Sequence, residues 1–379
     1  MTTLDGVEAE LLTIFLGGDA MTGRGVDQIL AHPGSPELRE PAVGDARTYR
    51  RLAEGVNGPI SVPVDFGWPW GDALASLDAN APAVRIVNLE TSITRSDDFA
   101  AGKAVHYRMH PSNVACLTAG RIDVCALANN HVLDFGHEGL VETLEVLSSV
   151  GIGWVGAGRD ANEAREPAIL AADNGRVIVC SVGAGSSGIP RAWAAGAGTR
   201  PGLDLLPDLS DEAAFAITDA VRSVRRSGDV AVASIHWGPN WGFEVSRDQV
   251  RFAHRLVDGG VDVVHGHSSH HPLPIELYRD RLVLYGCGGL IDDYEGIAGH
   301  EEDRPDLRLL YFASLEPVTG RVVRVRLVPL QARRMQLRHA SARDSEWLRA
   351  LLDRVSRPFA SHVVYGPEGT LTLQRERGR

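Results

Sequence analysis

The chain alternates between short apolar runs and longer segments in which apolar residues recur about every three or four positions. The short runs are rich in valine, isoleucine and leucine, and they stop at glycine, asparagine or histidine, which is typical of buried strands. The longer segments have the spacing of helices that bury one face. Strands that alternate with helices in this way indicate an α/β fold.

The hydrophobic pattern locates these elements along the chain. The predicted strands cover residues 11–16, 83–87, 122–128, 152–155, 177–182, 230–235, 261–264, 281–285, 307–315 and 322–328. The predicted helices are a segment beginning near residue 27, one beginning at 72, one ending at 120, and residues 139–150, 161–165, 212–227, 249–257 and 344–355. Asp160 is the predicted N-cap of helix 161–165, and the last two strands form a predicted hairpin around Thr319 and Gly320.

No shift in composition marks a linker, so we expect a single domain that spans residues 1–379. Residues 183–202 are rich in glycine, alanine, serine and proline, which predicts a long loop or lid. Residues 365–379 are mostly polar, and we expect them to form a peripheral tail.

Composition and charge narrow the possible partners. The formal net charge of −11 argues against a nucleic-acid partner, because a polyanion would be repelled. The apolar run at 11–16 is too short for a signal core or a membrane span and follows no basic segment, so we expect no membrane partner and a cytoplasmic location. The four cysteines are far apart, which favours reduced core residues over a disulfide framework.

Polar residues of metal-binding types stand where the predicted strands end. They are Asp19, Glu90, Asn130 with His131, His236, and His267 with His270. In an α/β sheet the carboxyl ends of the strands share one edge, so these side chains can converge there. Carboxylates, an amide oxygen and imidazoles together suit one or two divalent metal ions, and Glu90 is the candidate for a bridging ligand.

Each of these residues also has a purely structural interpretation. Asp19 could cap a helix, Glu90 could lie in a surface loop, and Asn130 could belong to an asparagine-rich turn. The strongest local signal is the segment 265–271, in which four of seven residues are histidine. A histidine-rich loop without metal is the alternative there, and the preceding strand argues against it.

The order of the motifs resembles the CapA-like family, which is named for a poly-γ-glutamate capsule biosynthesis protein and belongs to the calcineurin-like metallophosphoesterase superfamily. The resemblance runs from about Phe15 to Tyr311. The motifs that carry it are GDAMTGRG from Gly18, NLETSIT from Asn88, LANNHVLDFG from Leu127, GAGRDANEAREP from Gly156, SIHWG from Ser234 and GHSSHHPLPIE from Gly266.

This resemblance implies a four-layer α/β/β/α sandwich with a metal site at the carboxyl ends of the strands. It implies that the metal ligands are Asp19, Glu90, Asn130, His236, His267 and His270. It also implies an acid/base or charge-stabilising role for His131. The chain departs from the family pattern at Gly289, where asparagine or aspartate is common, and from superfamily phosphatases at Glu90 and Met21, where they carry aspartate and histidine.

Two reactions are compatible with this chemistry. The first is metal-dependent hydrolysis or transfer at a phosphoester or at an amide of poly-γ-glutamate, with His131 protonating the leaving group. The second is epimerisation at a Cα of a ribosomal precursor peptide. The chain's resemblance to lasso-peptide epimerases in size and in lack of an export signal favours this second reaction. Asp19 or His131 would then serve one face of that carbon and His300 the other, although His300 could equally be a surface histidine.

We therefore predict a metal-dependent acid/base enzyme that acts on a peptide substrate, with Asp19, His131 and His300 as the catalytic candidates. The metal could be Mn, Zn, Fe, Mg or Ca. A scaffold that has kept the fold and lost its chemistry is a third interpretation, which the complete set of ligand-type residues disfavours.

Overall fold

The structure is a computed structural model that describes residues 11–375. Its α-helices in that range are α1 (Arg24–Asp27), α2 (Arg47–Asn57), α3 (Ala73–Asn80), α4 (Ala115–Ala119), α5 (Gly136–Ser149), α6 (Ala161–Arg165), α7 (Asp211–Val224), α8 (Arg247–Asp258) and α9 (Ala342–Ser356). No helix between residues 11 and 375 is both long enough and apolar enough to cross a membrane.

Most of the strands in the same range belong to two large sheets. The strands are β1 (Leu12–Ala20), β2 (Val84–Leu89), β3 (Ser92–Ile93), β4 (Arg108–Met109), β5 (Val124–Ala126), β6 (Gly153–Val155), β7 (Ala157–Gly158), β8 (Ala168–Ala172), β9 (Gly175–Ala184), β10 (Gly202–Leu203), β11 (Leu205–Leu206), β12 (Val230–His236), β13 (Val263–His267), β14 (Ile275–Tyr278), β15 (Arg281–Leu284), β16 (Gly289–Ile291), β17 (Leu307–Leu315), β18 (Val322–Ala332), β19 (Leu337–His339), β20 (Ser361–Tyr365) and β21 (Leu371–Arg375).

The first sheet has the order β20-β21-β18-β17-β1-β2-β5-β6, with β16 beside β1 and β19 beside β18. The second has the order β11-β9-β12-β13-β15-β14, with β8 beside β9. The central strands of each sheet are parallel: β1, β2, β5 and β6 in the first, and β9, β12, β13 and β15 in the second. Their carboxyl ends therefore point to a common edge.

Alternation of side chains along the central strands divides the molecule into layers. Ile14 and Leu16 of β1 share a core with Val179 of the second sheet, which makes this core the contact between the two sheets. Phe15, on the opposite face of β1, belongs to a core that includes Leu144 of α5. Ala233 of β12 belongs to a third core with helices α7 and α8. The predicted four-layer α/β/β/α sandwich is confirmed, because each sheet buries one face against the other sheet and one against helices.

The predicted elements match the observed ones with shifted ends, and four details of the prediction are wrong. Strand β1 continues to Ala20, so Asp19 lies inside the strand and not beyond its end or at a helix cap. The first helix ends at Asp27, where it was expected to begin. Helix α2 was missed because only Tyr49 and Ala53 of it are buried, which leaves a weak apolar pattern. The predicted tail contains β21, whose Leu371 is fully buried.

The predicted hairpin and the predicted helix cap are both present. Strands β17 and β18 pair antiparallel. The side chain of Asp160 accepts hydrogen bonds from the backbone N–H groups of Asn162 and Glu163. The single-domain interpretation and the lid interpretation of residues 183–202 stay predictions.

Candidate metal and acid/base site

Five central strands carry the candidate ligands to one edge of the molecule, with Glu90 just after β2 and Asn130 just after β5. Strands β1 and β2 run in parallel with Asp19 opposite Asn88, and β12 and β13 run in parallel with His236 opposite His267. The first pair belongs to the first sheet and the second pair to the second sheet. The site is therefore built across the contact between the two sheets.

A close backbone approach places Asp19 at this edge. The Asp19 N–H donates to the carbonyl oxygen of Gly288 over 3.0 Å. A Cβ atom on Gly18 would overlap that same carbonyl oxygen, so only glycine fits at position 18. Gly18 is therefore required by the geometry of the site.

Three side chains form a compact group of metal-ligating type. Each of Asp19, His236 and His267 offers one ligand atom, and these atoms lie within 4.8 Å of one another. The Nδ1 atoms of the two histidines are 2.8 Å apart. Asn88 donates to Asp19 Oδ1 over 2.8 Å, whereas Oδ2 of the same carboxylate is buried without a hydrogen-bond partner. A buried carboxylate oxygen without a donor next to two facing imidazole nitrogens fits a divalent cation.

The other predicted ligands lie beside this group. Asn130 Oδ1 is 3.0 Å from Nε2 of His236, and a Glu90 carboxylate oxygen is 3.8 Å from the same nitrogen. His270 is 9% exposed, lines the adjoining cavity, and its Nδ1 is buried without a hydrogen-bond partner. Asn130 and Glu90 thus flank the three-residue group, and His270 lies in the wall of the cavity next to it.

An acid/base unit stands next to these ligands. His131 Nδ1 donates to Asp134 Oδ2 over 2.6 Å, since the carboxylate can only accept. The Nε2 atom of His131 is therefore the free nitrogen, and it lies 3.8 Å from Glu90. The ammonium group of Lys103 donates to the second oxygen of Asp134 and to the carbonyl oxygen of Asn130.

Burial dominates the protonation of the site. It raises the pKa of Asp19 to about 7, and burial followed by the charge of Asp19 raises the pKa of Glu90 well above its usual value. Burial lowers the pKa of His131 to about 4 and that of His270 to about 3. The imidazoles are thus neutral at pH 7, which is the form that binds metal.

Asp134 behaves differently from the other buried carboxylates. Burial alone would raise its pKa, but His131 and Lys103 together hold that pKa below its usual value. Asp134 is therefore the carboxylate that stays ionised and fixes the tautomer of His131.

A cavity of about 430 Å³ opens beside the ligands. Its lining residues are Arg24, Tyr49, Lys103, Ala104, Val105, Tyr107, Asn130, His131, Asn240, Trp241, His270, Tyr294, Ile297, Ala298, His300 and Pro305. None of these lining residues, all within the described range, is an aspartate or glutamate. A chain with a net charge of −11 thus presents a cavity without acidic side chains, which favours an anionic ligand.

His300 lies at the mouth of this cavity and not among the ligands. Its ring stacks on Trp241 with a centroid distance of 3.7 Å and an interplanar angle of 3°, and its side chain is 44% exposed. His300 and His131 line the same cavity, but no hydrogen bond joins His300 to the residues around the metal ligands.

The structure explains why glycine stands at position 289. A Cβ atom at this position would approach Asp292 Oδ2 to 2.9 Å. Asp292 is buried and paired with Arg308, so this ion pair occupies the space that a side chain at position 289 would need.

Three contributing residues were not identified as site residues from the sequence: Asn88, Asp134 and Lys103. Asn88 orients Asp19 from a position two residues before Glu90, and polar residues inside a buried strand are a usable signal. Asp134 follows His131 by three residues. Lys103 could have been singled out from the composition, because it is the only lysine in the chain.

The sequence is similar to those of known proteins. Residues 13–294 match the family described as bacterial capsule synthesis protein PGA_cap. A probable polyglutamine synthesis accessory protein of Mycobacterium tuberculosis is 52% identical over 366 residues, which are 96% of this chain and 96% of that protein. The PGA biosynthesis protein CapA of Bacillus subtilis is 28% identical over 207 residues, covering 54% of this chain and 52% of that protein. A solved structure described as a novel phosphatase from Mycoplasma pneumoniae aligns with a TM-score of 0.47 at 9% identity, covering 85% of this chain and 94% of that chain.

Proposed function

Because the chain belongs to the family of bacterial capsule synthesis proteins, we propose that it is a metal-dependent enzyme that hydrolyses or transfers an amide bond of a glutamyl polymer. One observation carries the proposal: the cavity is lined by His131, which is paired with Asp134, and by Asn130, whose Oδ1 lies 3.0 Å from Nε2 of the candidate ligand His236. The names of the relatives, which concern polyglutamine and PGA, supply the class of polymer.

The donor set fits a divalent ion. Asp19, His236 and His267 would hold it, with Asn130 and Glu90 as flanking ligands. When bound in such a site, a divalent ion acts as a Lewis acid toward a carbonyl oxygen and lowers the pKa of water.

His131 is the residue that moves the proton. Asp134 fixes its tautomer, so that Nε2 faces Glu90 while Nδ1 remains hydrogen-bonded. Nε2 accepts the proton of the attacking nucleophile and returns it to the leaving amide nitrogen. Both steps use one nitrogen, which suits hydrolysis and transfer alike.

The test begins with metal-free protein prepared with a chelator. Each of the five candidate metals is added singly, and turnover is measured on oligo-γ-glutamate, oligo-glutamine and p-nitrophenyl phosphate in D₂O. New chain ends from either oligomer, dependent on one metal, support the proposal. Released phosphate alone would identify a phosphoesterase instead, and stoichiometric metal without turnover on any probe contradicts the amide chemistry.

A matched pair of histidine variants separates the loss of a metal ligand from the general effect of replacing a histidine. H267A removes a proposed ligand, whereas H339A removes an exposed histidine on β19. We expect H267A to lose metal and turnover and H339A to keep both. Equal metal content in the two variants would contradict the ligand assignment.

Cα epimerisation of a peptide is the second candidate, and one observation favours it: His131 and His300 line the same cavity, as two acid/base groups on opposite faces would. The relatives named above concern capsule and polyglutamine synthesis, so this candidate takes second place. In the D₂O experiment, a one-dalton gain at one residue of a candidate precursor peptide without cleavage would reverse the order.

A further inference from the structure

Lysine is almost absent from this protein. Of the 38 lysine and arginine residues, only Lys103 is lysine. An arginine guanidinium is a flat, forked group, whereas a lysine ammonium is a compact charge with three N–H donors. The one position with an ammonium group lies beside the proposed acid/base residue, in the wall of the cavity.

Two of the three donors of this ammonium are used within the protein. One N–H donates to Asp134 Oδ1 and another to the carbonyl oxygen of Asn130. Both acceptors sit on the loop that also carries His131, so Lys103 is held in a fixed place.

The third donor has no acceptor in the histidine ring. Lys103 Nζ is 3.3 Å from His131 Nδ1, but that nitrogen already donates its hydrogen to Asp134 over 2.6 Å. A nitrogen that carries a hydrogen cannot accept another in the ring plane. The third N–H therefore has no oxygen acceptor among these groups; the Lys103 side chain lines the cavity, is 15% exposed, and has its Nζ 5.0 Å from the centre of the Trp193 ring.

The other permanent cation in the cavity wall, Arg24, is more deeply buried, with a side chain 3% exposed against 15% for Lys103. Arg24 donates twice to Asp293, over 2.8 and 2.5 Å, and once to Glu40 over 2.9 Å. Its guanidinium also lies 3.6 Å from the centre of the Tyr49 ring. Arg24 thus holds the residues of the cavity wall together, and Lys103 offers the more accessible N–H donor to a ligand.

We propose that Lys103 is a substrate-binding residue whose third N–H holds a carboxylate oxygen of a glutamyl unit next to His131. A cavity lined without acidic side chains favours this carboxylate over the neutral amide of glutamine. The proposal rests on the proposed function for its polymer, but not for its binding test. It makes Lys103 a determinant of specificity for the acidic polymer.

The single lysine allows a direct test of binding. Wild-type protein is methylated reductively with ¹³C-formaldehyde, and the rate at Lys103 is followed by mass spectrometry, with the terminal amine as internal reference. We expect oligo-γ-glutamate to protect Lys103 and oligo-glutamine of equal length to leave it unprotected. Equal protection by both oligomers, or by neither, overturns the specificity.

Variants test the same point by affinity. We expect K103M to weaken binding of oligo-γ-glutamate by about tenfold or more, the size of a lost charge-assisted hydrogen bond, and to leave metal content unchanged. R343M removes one exposed positive charge from α9 and should leave the affinity unchanged. An affinity loss in R343M equal to that in K103M would mean that only net charge matters.

Chemical rescue separates binding from misfolding. The native cysteines Cys116, Cys125, Cys180 and Cys287 are all buried, so 2-bromoethylamine should alkylate only the new thiol of K103C. The product carries an amine at nearly the original position, and we expect it to recover affinity, whereas alkylation with 2-bromoethanol should not. Recovery with both reagents would contradict the proposal.

The two proposals fail in different ways. If wild-type protein binds oligo-γ-glutamate through Lys103 but never converts it, the reaction is wrong and the binding residue stands. If wild-type protein cleaves the oligomer and K103M has an unchanged KM, the reaction stands and Lys103 is not a substrate-binding residue.

Discussion

The two sides of the site are built differently. On the second sheet, His236 and His267 end adjacent parallel strands, are fully buried, and pair in register. Asp19 lies likewise inside a strand, β1 of the first sheet, whereas His131 and Lys103 lie outside the strands and border the cavity. Strands hold their side chains rigidly, whereas loops carry side chains to the ligand. The difference assigns metal binding to the strand side and proton transfer and substrate binding to the loop side.

The largest expected effect tests the strand side. H267A removes an imidazole whose Nδ1 is 2.8 Å from that of His236. We expect metal in the purified protein to fall below stoichiometric levels and turnover to be lost, measured by elemental analysis and by the oligomer assay. Metal retained at the wild-type level would break the assignment of this side.

D134N tests the loop side, and we expect it to reduce turnover strongly but less than H267A does. The amide has one oxygen for the two donors Lys103 and His131; with its NH₂ group toward Nδ1, the ring carries its hydrogen on Nε2, so we expect turnover to fall by about 10²- to 10⁴-fold. Metal content should not change, because Asp134 contacts His131 and Lys103 but not the three-residue group. Loss of metal together with turnover would show that the two sides are not separable.

S234A should have a moderate effect confined to the strand side. Ser234 Oγ is 2.9 Å from His267 Nε2 and 3.1 Å from His265 Nδ1, so it orients both rings. We expect metal affinity to fall by about tenfold, as for other residues that orient a ligand. Titration with a metal-sensitive dye measures this, and a change in KM without a change in affinity would contradict it.

The smallest effect is expected for H300A. His300 stacks on Trp241 at the mouth of the cavity and is partly exposed. Under amide chemistry we expect KM to rise by about threefold, the value of a modest aromatic contact, with kcat nearly unchanged. Complete loss of Cα deuterium exchange on a peptide would instead favour epimerisation.

The α/β class was predictable because strands buried on both faces leave continuous apolar runs, whereas the order of the four layers came from the family resemblance. The candidate ligands were predictable in kind for the same reason, since a polar residue after such a run stands at the shared edge. Site assignments beyond this stay predictions until metal and turnover are measured. The sequence pattern does not give distances between residues. Asp19 and His267 are brought together only by the packing of the two sheets, which the pattern does not describe.

The missed features share one physical origin. Helix α2 buries few residues, and β21 is a short alternation of Leu371 and Leu373 with polar neighbours, so neither produces a strong pattern. Lys103 lies far from the end of any predicted strand, and a charged residue in a loop is usually solvated. Its contact with Asp134 depends on the path of the loop, which hydrophobic periodicity does not describe.

A further consequence follows from the ligands coming from different sheets. Apart from side-chain packing, polar links between the layers in this region are few, and one of them is the hydrogen bond of 2.9 Å from His265 Nε2 to the carbonyl oxygen of Gly17. An ion shared by Asp19 and the two histidines would act as a clasp between the layers. Removing the ion with a chelator should then accelerate backbone amide hydrogen exchange in β1 and β13 together. Loss of the ion would thus destabilise the contact between the two sheets.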